Sequence, residues 1–232
     1  LKVTDVRVQT ALPDDSENVR DVPVLTGRSD EADAPVGLTG EPVHYVQGIH
    51  RRRLDDDVYE PWVTVELPRR FEPGERFVVE LAYEGELLQY LNDGRTYVLK
   101  DSLSWLPRHL HTRGTPGGRT NLTYRVPERF SVASGSTLVD EEVIDGTRVM
   151  RWVSNDPVTS MSFNFGRFNV TEAEYDGPTE ITVYGDSNRR GFAPGNRVKT
   201  IADLTGALDT FTDYFGPYPF DSLLVTETPT YN

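Results

Sequence analysis

The chain has 232 residues, 37% hydrophobic, 26% charged and 10% aromatic, an ordinary globular composition with aromatics enough for a packed core. A formal net charge of -13 and a pI near 4.7 exclude an ordinary nucleic-acid-binding domain, whose surface carries the opposite sign. Without cysteine there are no disulfides, thiolate metal sites or cysteine nucleophiles in this sequence, and no run approaches the ~20 apolar residues of a membrane-spanning helix.

Taken in order, "LKVTDVRVQT" alternates, with Leu1, Val3, Val6 and Val8 apolar, and predicts a strand. Residues 13–42, rich in Pro, Asp, Gly and Ser, predict a long insertion loop. "RRRLDDDVYEP" sets arginines against aspartates and reads as a solvated loop. "WVTVELP" alternates again, a turn at Pro73–Gly74 follows, and Phe77–Tyr83 is the next strand. "TYVLKD", "RTNLTYRVP", "FSVASGSTLVDEEVIDGTRVMRWVS", "SMSFNFGRFNVTEAEY" and "TEITVYG" continue the pattern of Val, Ile, Tyr, Phe and Thr runs separated by Gly, Asp and Pro. Turn signals every eight to twelve residues or so predict an antiparallel sandwich or open sheet over residues 1–185.

After Gly185 the period changes. Val198, Ile201, Leu204, Leu208, Phe211 and Phe215 recur three or four residues apart, one face of an α-helix. Asn196 is placed to cap its start, Gly216 to end it in a left-handed conformation, and Pro217 forbids continuation. "SLLVTETP" then predicts a strand. The fold class is therefore all-β, followed over 186–232 by a linker, one amphipathic helix and a lone strand. That apolar helix face and strand need neighbours, so the segment reads as the start of a further domain. Leu1 in place of Met reads as a missing N-terminus, which leaves the compartment open.

No motif in the sequence completes a catalytic constellation. Of His44, His50, His109 and His111, none opens an H-E-x-x-H helix. His109 and His111 share a face if extended, but a pair without a third ligand falls short of a metal site. "GTPGGRT" lacks the Lys-Ser/Thr of a phosphate loop and precedes a strand, so it reads as a turn. Glu141 and Glu142 are paired carboxylates in an acidic chain without a specific signal. Asn121 and Asn169 head N-x-T tripeptides that matter only in a glycosylating host.

Several segments together resemble the zinc aminopeptidases of the gluzincin clan, the family of membrane alanyl aminopeptidase and leukotriene hydrolase. "VTVELPRRFEPGERFVVELAYEGEL" resembles the family's strand pair around an "L-x-x-x-L-x-x-G-E" turn, and "WLPR", from Trp105 to Arg108, its proline-marked segment. "LTYRVPERFSVASGS" resembles "f-x-v-x-v-P-x-x-x-x-a-x-S-N/G", and "MRWVSNDPVTSMSFNFGRF" the next strand pair. "LDTFTDYFGPYPFDSLLVTETP" resembles the helix and strand that open the catalytic domain.

The resemblance implies a saddle-like N-terminal β domain and the first elements of a thermolysin-like α+β catalytic domain, whose zinc, H-E-x-x-H helix and distal glutamate would follow Asn232. The cofactor expectation is thus no metal in this portion and zinc in the catalytic domain. The partners implied are that catalytic domain and, through the whole enzyme, a peptide substrate. The family's N-terminal domain usually donates a Gln or Glu that holds the substrate amino group. Counting back from Pro107, that position falls on Val98 or Leu99, beside Lys100 and Asp101. Asp101 is the candidate substrate-binding carboxylate. The family's "P-C-x-D-x-P" is replaced by "PRHLHTRGTP", which marks a divergent branch. The alternative is a catalytically silent relative, or an unrelated β-sandwich that binds protein or glycan.

Overall fold

The computed structural model describes residues 2–10, 19–25, 38–51, 59–91, 96–100, 105–107, 118–158, 160–173, 175–187 and 194–228. The elements are β1 (Lys2–Gln9), β2 (Val19–Leu25), β3 (Glu41–Pro42), β4 (Tyr45–Arg51), β5 (Tyr59–Val65), β6 (Val78–Glu84), β7 (Leu88–Tyr90) and β8 (Thr96–Leu99). They continue with β9 (Arg119–Pro127), β10 (Ser131–Ser134), β11 (Thr137–Ile144), β12 (Thr147–Val153), β13 (Phe163–Gly166), β14 (Phe168–Ala173), β15 (Glu180–Asp186), α1 (Pro194–Phe215) and β16 (Ser222–Thr226). The described residues are thus mostly β, with one helix, as the alternation predicts. The chain divides into two units, one made of Leu1–Asn18, Asp33–Leu87 and Leu103–Leu110, the other of Val19–Ala32, Leu88–Ser102 and His111–Asn232.

In the first unit β1 lies between β3 and β6 in an antiparallel sheet, and β4 pairs with β5 as a hairpin. Alternation on β1 sends Val6 and Val8 into the core. Glu80 of β6 ties the residues before β3 to this sheet. Its carboxylate accepts from Gly40 N at 2.7 Å, Thr39 N at 3.1 Å and Gln9 Nε2 at 2.9 Å. A Cβ on Gly40 would sit 2.8 Å from the Val8 carbonyl carbon, so backbone proximity requires glycine there. Gln47 completes the edge of β1: Val3 N donates to its Oε1 at 2.8 Å and its Nε2 donates to Val3 O at 2.9 Å. Trp105 is fully buried, and Tyr83 Oη donates to its carbonyl at 2.9 Å, so the "WLPR" segment does packing work here. Pro73–Gly74 forms the expected turn, with Gly74 at φ 93° and Glu75 N donating to Glu72 O at 3.0 Å.

In the second unit one sheet runs β11-β12-β9-β2 and another β10-β13-β8-β7. β9 alternates cleanly and buries Leu122, Tyr124 and Val126. β11 and β12 join through Asp145 (φ 48°) and Gly146 (φ 77°), the two left-handed residues of a tight hairpin turn. The expectation of a loop throughout 13–42 is corrected: Val19–Leu25 pairs in parallel with β9 and Glu41–Pro42 with β1. β2 contains Pro23 and lies at the edge of its sheet among the described strands, where proline is tolerated.

The strand after the helix is also not alone. β16 pairs in parallel with β15, from Glu180 opposite Ser222 to Tyr184 opposite Thr226, and β15 pairs antiparallel with β14. Parallel neighbours need a long crossover, and α1 is that crossover, making β15-α1-β16 a βαβ unit. The helix starts at Pro194, whose fixed φ suits a first helical position, so Asn196 lies inside the helix rather than capping it. It ends as expected: Gly216 has φ 90° and its N–H donates to Thr212 O at 2.9 Å. Leu208 is buried at 6% exposure, whereas Val198, Phe211 and Phe215 of the same apolar stripe are 69%, 59% and 82% exposed.

Candidate functional site

The neighbourhood of Val98 is where the sequence directs attention. Successive side chains on a strand point to opposite faces, so Val98 and Leu99 cannot share a role. Strand register gives the two faces of the β10-β13-β8-β7 sheet. On one face Val132, Phe165, Tyr97 and Tyr90 lie in a row. The Tyr97 and Phe165 rings stack at 4.5 Å, Phe130 meets both edge-on, and Phe163 packs 4.9 Å from Tyr124 of β9. Packing covers this face except at Tyr90, which is exposed on β7, and Leu99, opposite Leu88, belongs to it.

The other face carries Ala133, Asn164, Val98 and Gln89 in register. Val98 has no polar atom to hold an ammonium group, but amides flank it on both neighbouring strands. Asn164 Nδ2 donates to Thr226 Oγ1 of β16 at 2.7 Å, which anchors the face to the βαβ unit. Gln89 is half-buried directly opposite Val98. A linear reading passes over Gln89 because it lies outside the matched motif; only strand register brings it beside Val98.

Beside Asn164 lies a cavity of about 410 Å³, bounded by the β10–β11 connection, residues 153–156, 158, 160 and 162, and the segment leading into β16. Its lining mixes hydroxyls and amides (Ser136, Ser160, Ser162, Asn155) with the side chains of Tyr218 and Phe220. The charged groups among the described lining residues are Asp156 and Asp221, both carboxylates. Asn155 Nδ2 donates to Asp221 Oδ2 at 3.1 Å.

The other candidates of the sequence separate. Asp101, His109 and His111 lie outside the described residues, as does the His50 side chain. His44 is exposed and 3.4 Å from Glu66 across the start of the β4–β5 hairpin, a surface pair. Glu141 and Glu142 are successive residues of β11 and point to opposite faces; Glu141 pairs with Arg148. They form no acid/base pair. Asn121 and Asn169 sit within β9 and β14 rather than on loops. No group of three or more His, Asp or Glu suited to a metal occurs among the described residues, so the described residues offer no zinc ligand set. Burial lifts the Tyr124 phenol well above its ordinary value, against the opposing hydrogen bond to Ser134 Oγ at 2.9 Å. Burial, then the charges of Glu141 and Glu172, pushes Tyr184 up to about 12. Both phenols are therefore held in the neutral form near neutrality.

No protein-family model matches the chain, and no curated protein sequence does. Solved structures do. The M1 zinc metallopeptidase of Deinococcus radiodurans superposes on all of this chain with TM-score 0.64 at 18% identity, and the match spans 47% of that chain. A variant of that enzyme bound to a Tyr-Ser-Ala substrate matches with TM-score 0.60 at 17% identity, over 100% of this chain and 47% of its own. A two-domain M1 zinc metallopeptidase variant bound to L-tryptophan gives TM-score 0.58 at 18% identity, covering 83% and 46%. At such identity the likeness is one of fold, and this chain spans less than half of each of those proteins.

Proposed function

We propose that the chain is the N-terminal, non-catalytic portion of a zinc-dependent aminopeptidase-like metallopeptidase, that it packs on the catalytic domain, and that it shapes the substrate cleft. The observation carrying this reading is the fold likeness over the whole chain to under half of each M1 enzyme. Two further features support it. The outer edge of β16 pairs with no described strand, and the exposed aromatic stripe of α1 suits burial against further protein. On this reading 1–185 is the saddle-like β domain, and 186–232 opens the α+β catalytic domain while already paired to β15. Zinc belongs to the catalytic domain, and no step of its chemistry runs through the residues described.

The face of the β10-β13-β8-β7 sheet that carries Asn164 and Gln89 is then the wall offered to substrate, with Gln89 a polar group on it. Asp101 remains the proposed carboxylate for the substrate amino group. The test uses the longer parent protein with amino-acid amide reporters, with and without chelator. Chelator-sensitive release of N-terminal residues supports the reading. A parent lacking H-E-x-x-H and a distal glutamate downstream of Asn232 overturns the enzyme assignment. The 232-residue chain alone is expected to be inactive, and zinc-dependent peptidase activity from it would refute the division of labour.

A second reading, a silent relative or an unrelated module that binds protein or glycan, is favoured by one feature. The position of the family's amino-group anchor is held here by Val98 or Leu99, neither of which can make that contact. An apo-like parent that binds no zinc and cleaves no reporter is the outcome this reading requires.

A further inference from the structure

The cavity beside Asn164 has a chemistry that peptide cleavage does not explain. Its size, about 410 Å³, is in the range of small-ligand sites. Its lining narrows the ligand class by elimination. No Lys, Arg or His is among the described lining residues and two carboxylates are, which disfavours an anion. An apolar ligand would strip water from the exposed hydroxyls of Ser160 and Ser162 and return no hydrogen bond. A cation would want convergent free carboxylates, yet Asp221 already accepts from Asn155 at 3.1 Å.

A ligand dense in hydroxyls fits. Serine hydroxyls and the Asn155 amide both donate and accept, and a sugar hydroxyl does the same. Tyr218 and Phe220, whose rings meet edge-on at 5.5 Å, supply the flat apolar surface that the C–H face of a sugar ring covers. Ser136 adds an independent sign. Its Oγ is buried and finds no hydrogen-bond partner among the described residues, although Ser136 lines the cavity. Orphaned buried hydroxyls are uncommon in folded proteins and call for a partner.

We propose that this cavity binds a neutral carbohydrate, with Ser136 and Asn155 as hydrogen-bonding residues and Tyr218 as the stacking surface. The site stands apart from the peptidase reading and survives its failure. The test is titration of the isotope-labelled 232-residue chain with maltose, cellobiose and lactose, with soluble amylose to separate a chain-borne sugar from a free one and putrescine as the cationic control. The expected result is saturable shifts of the amide signals of 134–137, 154–156, 158, 160, 162, 218 and 220–224 with at least one sugar and none with putrescine. Ser136→Ala should weaken that binding by about threefold to tenfold, the worth of one net hydrogen bond. Its unfolding midpoint should hold or rise, because it removes an unpaired hydroxyl. Ser162→Trp, at an exposed lining position, should abolish binding and leave the fold intact. No saturable shift with any sugar to about 0.1 M, where binding free energy is negligible, overturns the proposal. So does a response to putrescine alone, or shifts confined to other residues.

Discussion

Strand β9 and helix α1 are both amphipathic in sequence, and they end in opposite circumstances. β9 places Leu122, Tyr124 and Val126 on one face, and all three are buried, Tyr124 against Phe163 and Ser134 of the β10-β13-β8-β7 sheet. α1 carries an equally regular stripe, yet of its residues only Leu208 is fully buried. A pattern states which side of an element favours burial. Whether a partner is there to bury it is decided elsewhere in the chain, or in another one.

Substitutions that break this contrast span a graded range. Tyr124→Ala should cost the most, about 3–5 kcal/mol for a large buried ring, with the Ser134 hydroxyl left unpaired besides; urea unfolding measures it. Leu208→Ala should cost about 2–5 kcal/mol by the same physics. An effect below 0.5 kcal/mol or so, the range of surface changes, would mean α1 does not dock on its sheet. Alkali should erode stability next. Burial pushes Tyr83 and Tyr184 from the ordinary phenol value up to about 12, so the fold favours their neutral forms. Their contribution is whole below pH 10 and is lost as pH rises toward 12. Unfolding midpoints between those limits should fall, and Tyr83→Phe should flatten part of the decline.

Gly216→Ala should cost about 1 kcal/mol, since its φ of 90° strains any L side chain although nothing crowds the site. Phe215→Ala should change the stability of this chain by less than ~0.5 kcal/mol. The same substitution in a longer parent sharpens the comparison most. If further protein covers α1, the cost there should rise to that of a buried aromatic, about 3–5 kcal/mol. Equal small effects in both would refute the docking role proposed for the helix.

Most of the strands were legible because alternation, β-branched residues and turn residues agree along the chain. Thr96–Leu99, Arg119–Pro127 and Glu180–Asp186 fall where the pattern puts them. β2 was hidden because Pro23 and the polar residues around it read as loop, while its pairing with β9 bridges about a hundred residues of sequence. The site was less legible still. Val98 could be reached by counting from Pro107, but its neighbours Gln89 and Asn164 lie on other strands, and only register brings them alongside. The cavity gathers residues from the β10–β11 connection, from 153–156, 158, 160 and 162, and from the approach to β16, no two of which form a motif.

The sequence by itself determined the local choices: strand or helix, the turn at Pro73–Gly74, the left-handed stop at Gly216 and the side of α1 that favours burial. Those choices depend on steric freedom and hydrophobic period, which act over a few residues. The tertiary structure alone decided that β16 lies parallel to β15 with α1 as their crossover, and that one face of the β10-β13-β8-β7 sheet stacks aromatic rings while the other sets Asn164 and Gln89 either side of Val98. Pairing and packing join residues far apart in the chain, and no short window of sequence contains both partners.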